Sequence, residues 1–191
     1  MRIITGTRKG VRLETLEGEN TRPTTEKIKE AVFSAIQFDI EGCRVLDLFA
    51  GSGQMGLEAL SRGAQSCMFV DSAREAMDIV KKNAQKARFF DESRFLVSDY
   101  RNYVRKAGGR DRYDLVFIDP PYADNCVGDA LERILRADIA NPRCIFVCES
   151  GQENIFEGKE ELAERFDVRK SAVYGRVCIN ILTLKDGEDA Q

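Results

Sequence analysis

The sequence predicts an α/β fold with a mostly parallel sheet, and three observations carry that prediction. From Arg44 onward, short apolar runs alternate with stretches that suit helices, the pattern of parallel strands joined by right-handed crossovers. A glycine turn, Gly51-Ser52-Gly53, follows the first run and precedes Met55, Leu57, Ala59 and Leu60, which suit a helix. Aspartates stand at or near the ends of four successive runs, at Asp47, Asp71, Asp99 and Asp119. Open α/β sheets bind ligands at the carboxyl ends of their strands, so the four acids are expected to line one edge.

Residues 1–22 read as a small β extension, with strand candidates Ile3-Ile4-Thr5 and Val11-Arg12-Leu13 flanking Gly6 to Gly10. The main domain is expected over residues 23–191. Arg22-Pro23-Thr24-Thr25 introduces its first helix, with threonines suited to capping the N-terminus. Ile28, Ala31, Val32, Ala35 and Ile36 repeat at helical spacing and form one apolar face. Strands follow at 44–49, 66–71, 94–98, 113–119 and 143–149, with helices at 53–62, 73–87, 100–107 and 125–137. After Gly151, a helix is expected over Lys159–Arg165. Phe166–Tyr174 and Arg176–Leu184 then form an antiparallel pair turning at Gly175.

Composition narrows the function classes. The 191 residues suffice for one domain with a full core, and 43% hydrophobic with 32% charged residues describes a soluble globular chain. No apolar run approaches the roughly 20 residues of a membrane helix, and the start, Met1 to Gly6, lacks the apolar core of a signal peptide. There is no histidine, and the cysteines at 43, 67, 126, 144, 148 and 178 form no C-x-x-C pair. Zinc and a histidine-dependent triad are disfavoured, and no metal is expected. Thiols within apolar runs read as core residues in a reducing cytoplasm. A monomer without membrane attachment is the expectation. The net charge of -3 argues against indiscriminate nucleic-acid binding, yet Arg2, Arg8, Lys9 and Arg12 give the first twelve residues a balance of +4. Such an arm either contacts a polyanion or is a solvated surface strand.

Gly51-x-Gly53-x-x-Gly56 satisfies the dinucleotide fingerprint, and it also suits an ordinary strand-to-helix turn. Asp47 discriminates among nucleotides. A carboxylate four residues before the first glycine would repel a pyrophosphate, but it favours the sulfonium and ammonium groups of S-adenosylmethionine. The pattern therefore points to S-adenosylmethionine over NAD. Asp71 lies 24 residues after Asp47, where an acid can accept both ribose hydroxyls. Asp99 either accepts from the adenine amino group or caps the helix that follows. The candidate donor site is Asp47, Phe49, Gly51, Ser52, Gly53, Asp71, Ser72, Asp99 and Tyr100.

The fourth run ends in Asp119-Pro120-Pro121-Tyr122. Two prolines fix the backbone and remove two N–H donors, leaving carbonyls to accept. An exocyclic amine on a nucleobase needs that environment, because its lone pair is delocalised into the ring. The Asp119 carboxylate and the Pro120 carbonyl can accept its two hydrogens and stabilise developing positive charge. Tyr122 offers a stacking face. The alternative is a proline turn that merely ends a strand.

The paired motifs Asp-x-Phe-Ala-Gly-Ser-Gly and Asp-Pro-Pro-Tyr resemble those of amino-group methyltransferases acting on adenine, cytosine or guanine. The N-terminal Arg-Ile-Ile-x-Gly, Arg22-Pro23-Thr24 and the motif order resemble one family in particular, the bacterial RsmD 16S ribosomal RNA guanine-N2 methyltransferases, over Arg2 to about Leu184. The resemblance implies a Rossmann-like class I fold, with a seven-stranded sheet ending in an antiparallel hairpin. It implies S-adenosylmethionine as donor and 16S rRNA in the small ribosomal subunit, or its assembly intermediate, as substrate. It assigns Asp47, Gly51, Gly53 and Asp71 to the donor, Asp119 to Tyr122 to the target base, and Arg22, Pro23 and Thr24 to the rim. With Arg8, Lys9 and Arg12, these rim residues make the candidate RNA contacts. Tyr174-Gly175 also resembles a family segment. The alternatives are a DNA adenine-N6 or cytosine-N4 methyltransferase and a nonenzymatic RNA-binding assembly factor. The lack of an added target-recognition domain counts against the first, and the intact Asp119–Tyr122 turn against the second.

Overall fold

A computed structural model describes residues 1–16, 26–121 and 126–185. In chain order the elements are α1 (Glu26–Ala35), β1 (Arg44–Asp47), α2 (Gln54–Ser61), β2 (Ser66–Asp71), α3 (Arg74–Ala87), β3 (Ser93–Val97) and α4 (Tyr100–Ala107). They continue with β4 (Tyr113–Ile118), α5 (Val127–Arg136), β5 (Ala140–Ser150), α6 (Glu160–Ala163), β6 (Phe166–Tyr174) and β7 (Val177–Leu184). The sheet has seven strands in the order β3-β2-β1-β4-β5-β7-β6. The first five are parallel, and β7 runs antiparallel between β5 and β6. The strand order reverses between β1 and β4, the topological switch point at which such sheets bind ligands.

Period-two alternation builds the two cores. Val45, Leu115 and Phe117 face α1, α2 and α3, whereas Leu46, Val116 and Ile118 face α4 and α5. The register sets Leu46 beside Val116 and Asp47 beside Phe117, bringing the ends of β1 and β4 together. β1 ends two residues early and α5 begins two residues late, and β5 and α6 depart further from the sequence expectation. β5 begins at Ala140, three residues early, because Ala140 pairs with Tyr113 before a register shift restores Leu115 opposite Ile145. α6 is a single turn, with no buried residue to extend it.

The N-terminal segment makes one antiparallel bridge, Arg2 to Arg12, where the sequence predicts two short strands. It lies on the main domain, with Ile3 and Leu13 buried in the same core as α1, α2 and α3. A buried polar cluster holds it there. The Glu58 carboxylate on α2 accepts the backbone N–H of Ile4 at 2.7 Å and of Thr5 at 3.0 Å. It also accepts from Arg62 Nε at 2.9 Å and pairs with Lys29 Nζ at 3.3 Å. Lys29 donates to the Arg2 carbonyl at 2.7 Å. Burial pushes the Lys29 ammonium below its ordinary pKa, and Glu58 opposes that shift. Charges this deep persist only when paired and hydrogen-bonded. Gly6, at φ +84°, runs so close to α2 that a Cβ would meet the Ser61 carbonyl oxygen at 1.8 Å.

Among the described residues, no helix is long and apolar enough to cross a membrane. None of the six cysteines forms a disulfide, and Cys67, Cys126, Cys144, Cys148 and Cys178 are buried.

Candidate active site

The carboxyl ends of β1, β2 and β4 open on a cleft of about 320 Å³. Of the residues singled out in the sequence, Phe49, Asp71, Ser72, Asp99, Tyr100, Asp119 and Pro121 line it. The chain leaves β1 along its edge through Leu48 and Phe49, whereas Gly51, Ser52 and Gly53 of the turn that follows are not among the residues that line it. Gly51 and Gly53 take φ of +52° and +76°, a left-handed conformation that a side chain would strain. Gly53 caps α2, and its N–H donates to the Ala50 carbonyl at 2.6 Å. At Gly56 a Cβ would sit 2.4 Å from the Phe69 ring and 2.6 Å from Cys67 Sγ, so a glycine lets α2 close on β2. All three glycines of the fingerprint thus have a physical reason.

Asp47 lies behind this turn and not in the wall of the cleft. It is 4% exposed, and its Oδ2 accepts the Gly56 N–H at 3.0 Å. Burial pushes its pKa up to about 7; the Gly56 hydrogen bond opposes the shift and the neighbouring charge of Asp71 adds to it. Within the turn itself, Ser52 and Gly53 are buried.

Asp71 is held by two backbone donors, Gly51 N–H to Oδ2 at 2.9 Å and Ala73 N–H to Oδ1 at 2.8 Å. Each oxygen keeps lone-pair capacity, so the carboxylate is oriented yet still able to accept. Asp99 caps α4 by accepting from Arg101 N–H at 2.9 Å, and the same residue lines the cleft. The two readings of Asp99 are therefore compatible. Phe49 and Tyr100 form an aromatic wall, with ring centroids 5.2 Å apart at 45°. The Tyr100 hydroxyl donates to Asp129 Oδ2 at 2.6 Å, fixing the ring. Burial works against the ionised Asp129, but bonds from Arg133 and Tyr100 hold its pKa at about 2.

Asp119 follows β4 directly and is half-buried, Pro120 is buried and Pro121 is exposed. Asp119 also borders a second, small cavity lined by Met55, Phe117, Lys29 and Glu149. It therefore stands between the cleft and the α1 face of the sheet. Tyr122 lies outside the described residues, as do Arg22, Pro23 and Thr24. The three cations of the arm singled out as RNA contacts differ. Arg8 is fixed, with Nε donating to the Ala87 carbonyl at 2.9 Å and its guanidinium over the Phe89 ring at 5.7 Å. Lys9 and Arg12 are exposed.

Sequence reasoning missed Arg101, Ser98 and Cys126, which also line the cleft, and Glu149, buried at the end of β5. Glu149 carried a signal, since the strand-end argument applies to it as to the aspartates. Arg101 and Cys126 carried none, because helix starts bring them to the rim only after the sheet is assembled.

The seven-stranded order with β7 antiparallel, a glycine turn at the switch point and an acid held at the end of β2 identify the class I fold of S-adenosylmethionine-dependent methyltransferases. The chain belongs to the family described as "Conserved hypothetical protein 95", whose model matches residues 1–183. It is 41% identical over 125 residues to "Putative rRNA methyltransferase YlbH" of Bacillus subtilis, covering 65% of this chain and 68% of that one. It is 26% identical over 181 residues to "Ribosomal RNA small subunit methyltransferase D" of Escherichia coli strain K12, covering 95% and 88%. Among solved structures it is similar to "Putative methyltransferase yhhF from Escherichia coli", with TM-score 0.86 and 25% identity over 98% of this chain and 99% of that chain.

Proposed function

We propose that this chain transfers a methyl group from S-adenosylmethionine to the exocyclic N2 amine of a guanine in 16S rRNA of the small ribosomal subunit. The observation that carries the reading is the position of Asp119. It sits at the end of β4, beside the glycine turn of β1, on the wall shared with the donor cleft. The names of the relatives support ribosomal RNA as the substrate class.

The donor supplies an electrophilic methyl group on a sulfonium. The residues present fit it. Asp71, oriented by two N–H groups, accepts the ribose hydroxyls. Phe49 and Tyr100 flank the adenine, whose amino group Asp99 accepts. Ser72 lines the cleft, the turn of Gly51, Ser52 and Gly53 lets the backbone approach the donor, and Asp47 supplies negative charge behind the turn.

On the acceptor side, Asp119 and the Pro120 carbonyl accept hydrogen bonds from the two N–H groups of the amine. This aims its lone pair into the cleft and stabilises the positive charge that develops on nitrogen. Pro121 holds the turn, and Tyr122 stacks on the base. Lys9, Arg12 and the segment Arg22-Pro23-Thr24 meet the RNA backbone, with Arg8 anchoring the arm.

Asp119→Ala tests the reading. It should fold and bind donor and RNA, yet lose roughly 100- to 1,000-fold in single-turnover methylation with saturating RNA, as removal of one preorganised charge-stabilising partner does. A near-normal single-turnover rate would remove Asp119 from the chemistry.

A further inference from the structure

Asn83, on α3, is a fully buried polar residue that nothing described so far accounts for. Its side chain spends all its donors on two chain segments distant in sequence. Nδ2 donates to the Ser52 carbonyl in the glycine turn at 2.9 Å and to the Glu14 carbonyl in the N-terminal arm at 2.9 Å. Oδ1 accepts the Glu14 N–H at 2.8 Å. The amide thus pairs with Glu14 on both sides, as a neighbouring strand would, while its other hydrogen holds the turn. An apolar residue of similar size would fill the space but strand two carbonyls and one N–H in a buried position. A solvated asparagine would not satisfy three backbone groups at once.

Two other side chains fix this region, Asp71 on the Gly51 N–H of the turn and Asp47 on the Gly56 N–H in α2, both inside the donor machinery. Asn83 is the attachment that reaches outside it. The arm is in turn bound to α2, the helix that the turn begins, through Glu58 and through Ser61, whose hydroxyl takes the Arg8 N–H at 3.0 Å. Arm, turn and α2 close into one hydrogen-bonded loop with Asn83 as the link.

We propose that Asn83 is a positioning residue that latches the N-terminal arm to the donor turn, so that seating of the arm and affinity for the donor are coupled. The inference rests on the reading of residues 51–53 as donor-binding. Coupling of this kind is reciprocal: what the arm does to donor affinity, the donor does to the arm.

The test uses the full chain with S-adenosylhomocysteine as probe, calorimetry for affinity and amide hydrogen exchange for the arm. In the wild type, the probe should slow exchange at the Glu14 amide as well as at Gly51 and Gly53. Asn83→Asp keeps the shape and the acceptor for Glu14 N–H but presents an acceptor to both carbonyls. Asn83→Ala removes the bonds without burying a charge and serves if the aspartate variant does not fold. Either variant should bind the probe about tenfold more weakly. Either should also lose the probe-induced protection at Glu14 while keeping it at Gly51 and Gly53. A merely structural role predicts faster exchange at Glu14 with and without probe alike, and unchanged affinity; that result overturns the latch. Wild-type protection at Gly51 and Gly53 without any effect at Glu14 also overturns it. Absence of probe binding in the wild type overturns the donor-site reading itself.

Discussion

Asp47→Asn puts the electrostatics of the glycine turn to a quantitative test. Asp47 is buried, accepts one hydrogen bond and has a pKa near 7 in the folded chain against 3.8 for an unperturbed aspartate. Between those values the folded chain holds a proton that the unfolded chain has released. The contribution to stability is therefore complete below about pH 4 and is lost as pH rises through 7. Three pKa units correspond to on the order of 4 kcal/mol. Between pH 5 and pH 8 the wild type should lose roughly 3 kcal/mol of unfolding free energy that Asp47→Asn retains. Asparagine can still accept the Gly56 N–H, so the variant isolates the charge. A cationic donor favours the ionised carboxylate, so donor binding should release close to one proton at pH 6. Affinity should then rise by up to about tenfold per pH unit towards 7. Urea unfolding at the two pH values, and calorimetry of S-adenosylmethionine binding in two buffers between pH 5.5 and 7.5, read both effects. Equal pH dependence in wild type and variant would mean that Asp47 holds no such proton.

Other substitutions separate the roles of neighbouring residues. Asp71→Ala should weaken donor binding by about 1 kcal/mol for each ribose hydrogen bond removed, measured by titration calorimetry; unchanged affinity would take the ribose from this carboxylate. Lys9→Ala with Arg12→Ala should lower RNA affinity and reduce the slope of log affinity against log salt by about 0.7 to 0.9 for each phosphate no longer neutralised. Donor affinity should stay unchanged. Arg8 is left out of that variant because it ties the arm to the end of α3. An unaltered salt slope would leave the two cations as ordinary solvated surface.

Much of this is legible in the chain because period and punctuation are local. β2, α4 and β6 fall on the boundaries that the apolar runs mark. The glycine turn and the four strand-end aspartates fall where strand-to-helix alternation puts them. What is not legible depends on tertiary partners. On α1 the apolar spacing of Ile28, Ala31, Val32, Ala35 and Ile36 suggests one face, but the buried face turns to include Lys29 and Phe33. A lysine reads as solvated until Glu58 of α2 supplies its counter-charge. Asp47 reads as a cleft residue by spacing alone, and only the closure of α2 on β2 places it behind the turn. Asn83 looks like a polar residue on a helix surface, because the arm that covers it lies 69 residues away in the chain.

Methylation of a guanine amine in 16S rRNA leaves a chemical mark that nucleoside mass spectrometry of that RNA reads without inference. RNA from cells with and without the gene is digested and compared. Cells lacking the gene should lose one N2-methylguanosine from 16S rRNA, and the purified chain should restore it with S-adenosylmethionine while Asp119→Ala does not. Unchanged N2-methylguanosine, with a different modified base missing, would contradict the proposed function.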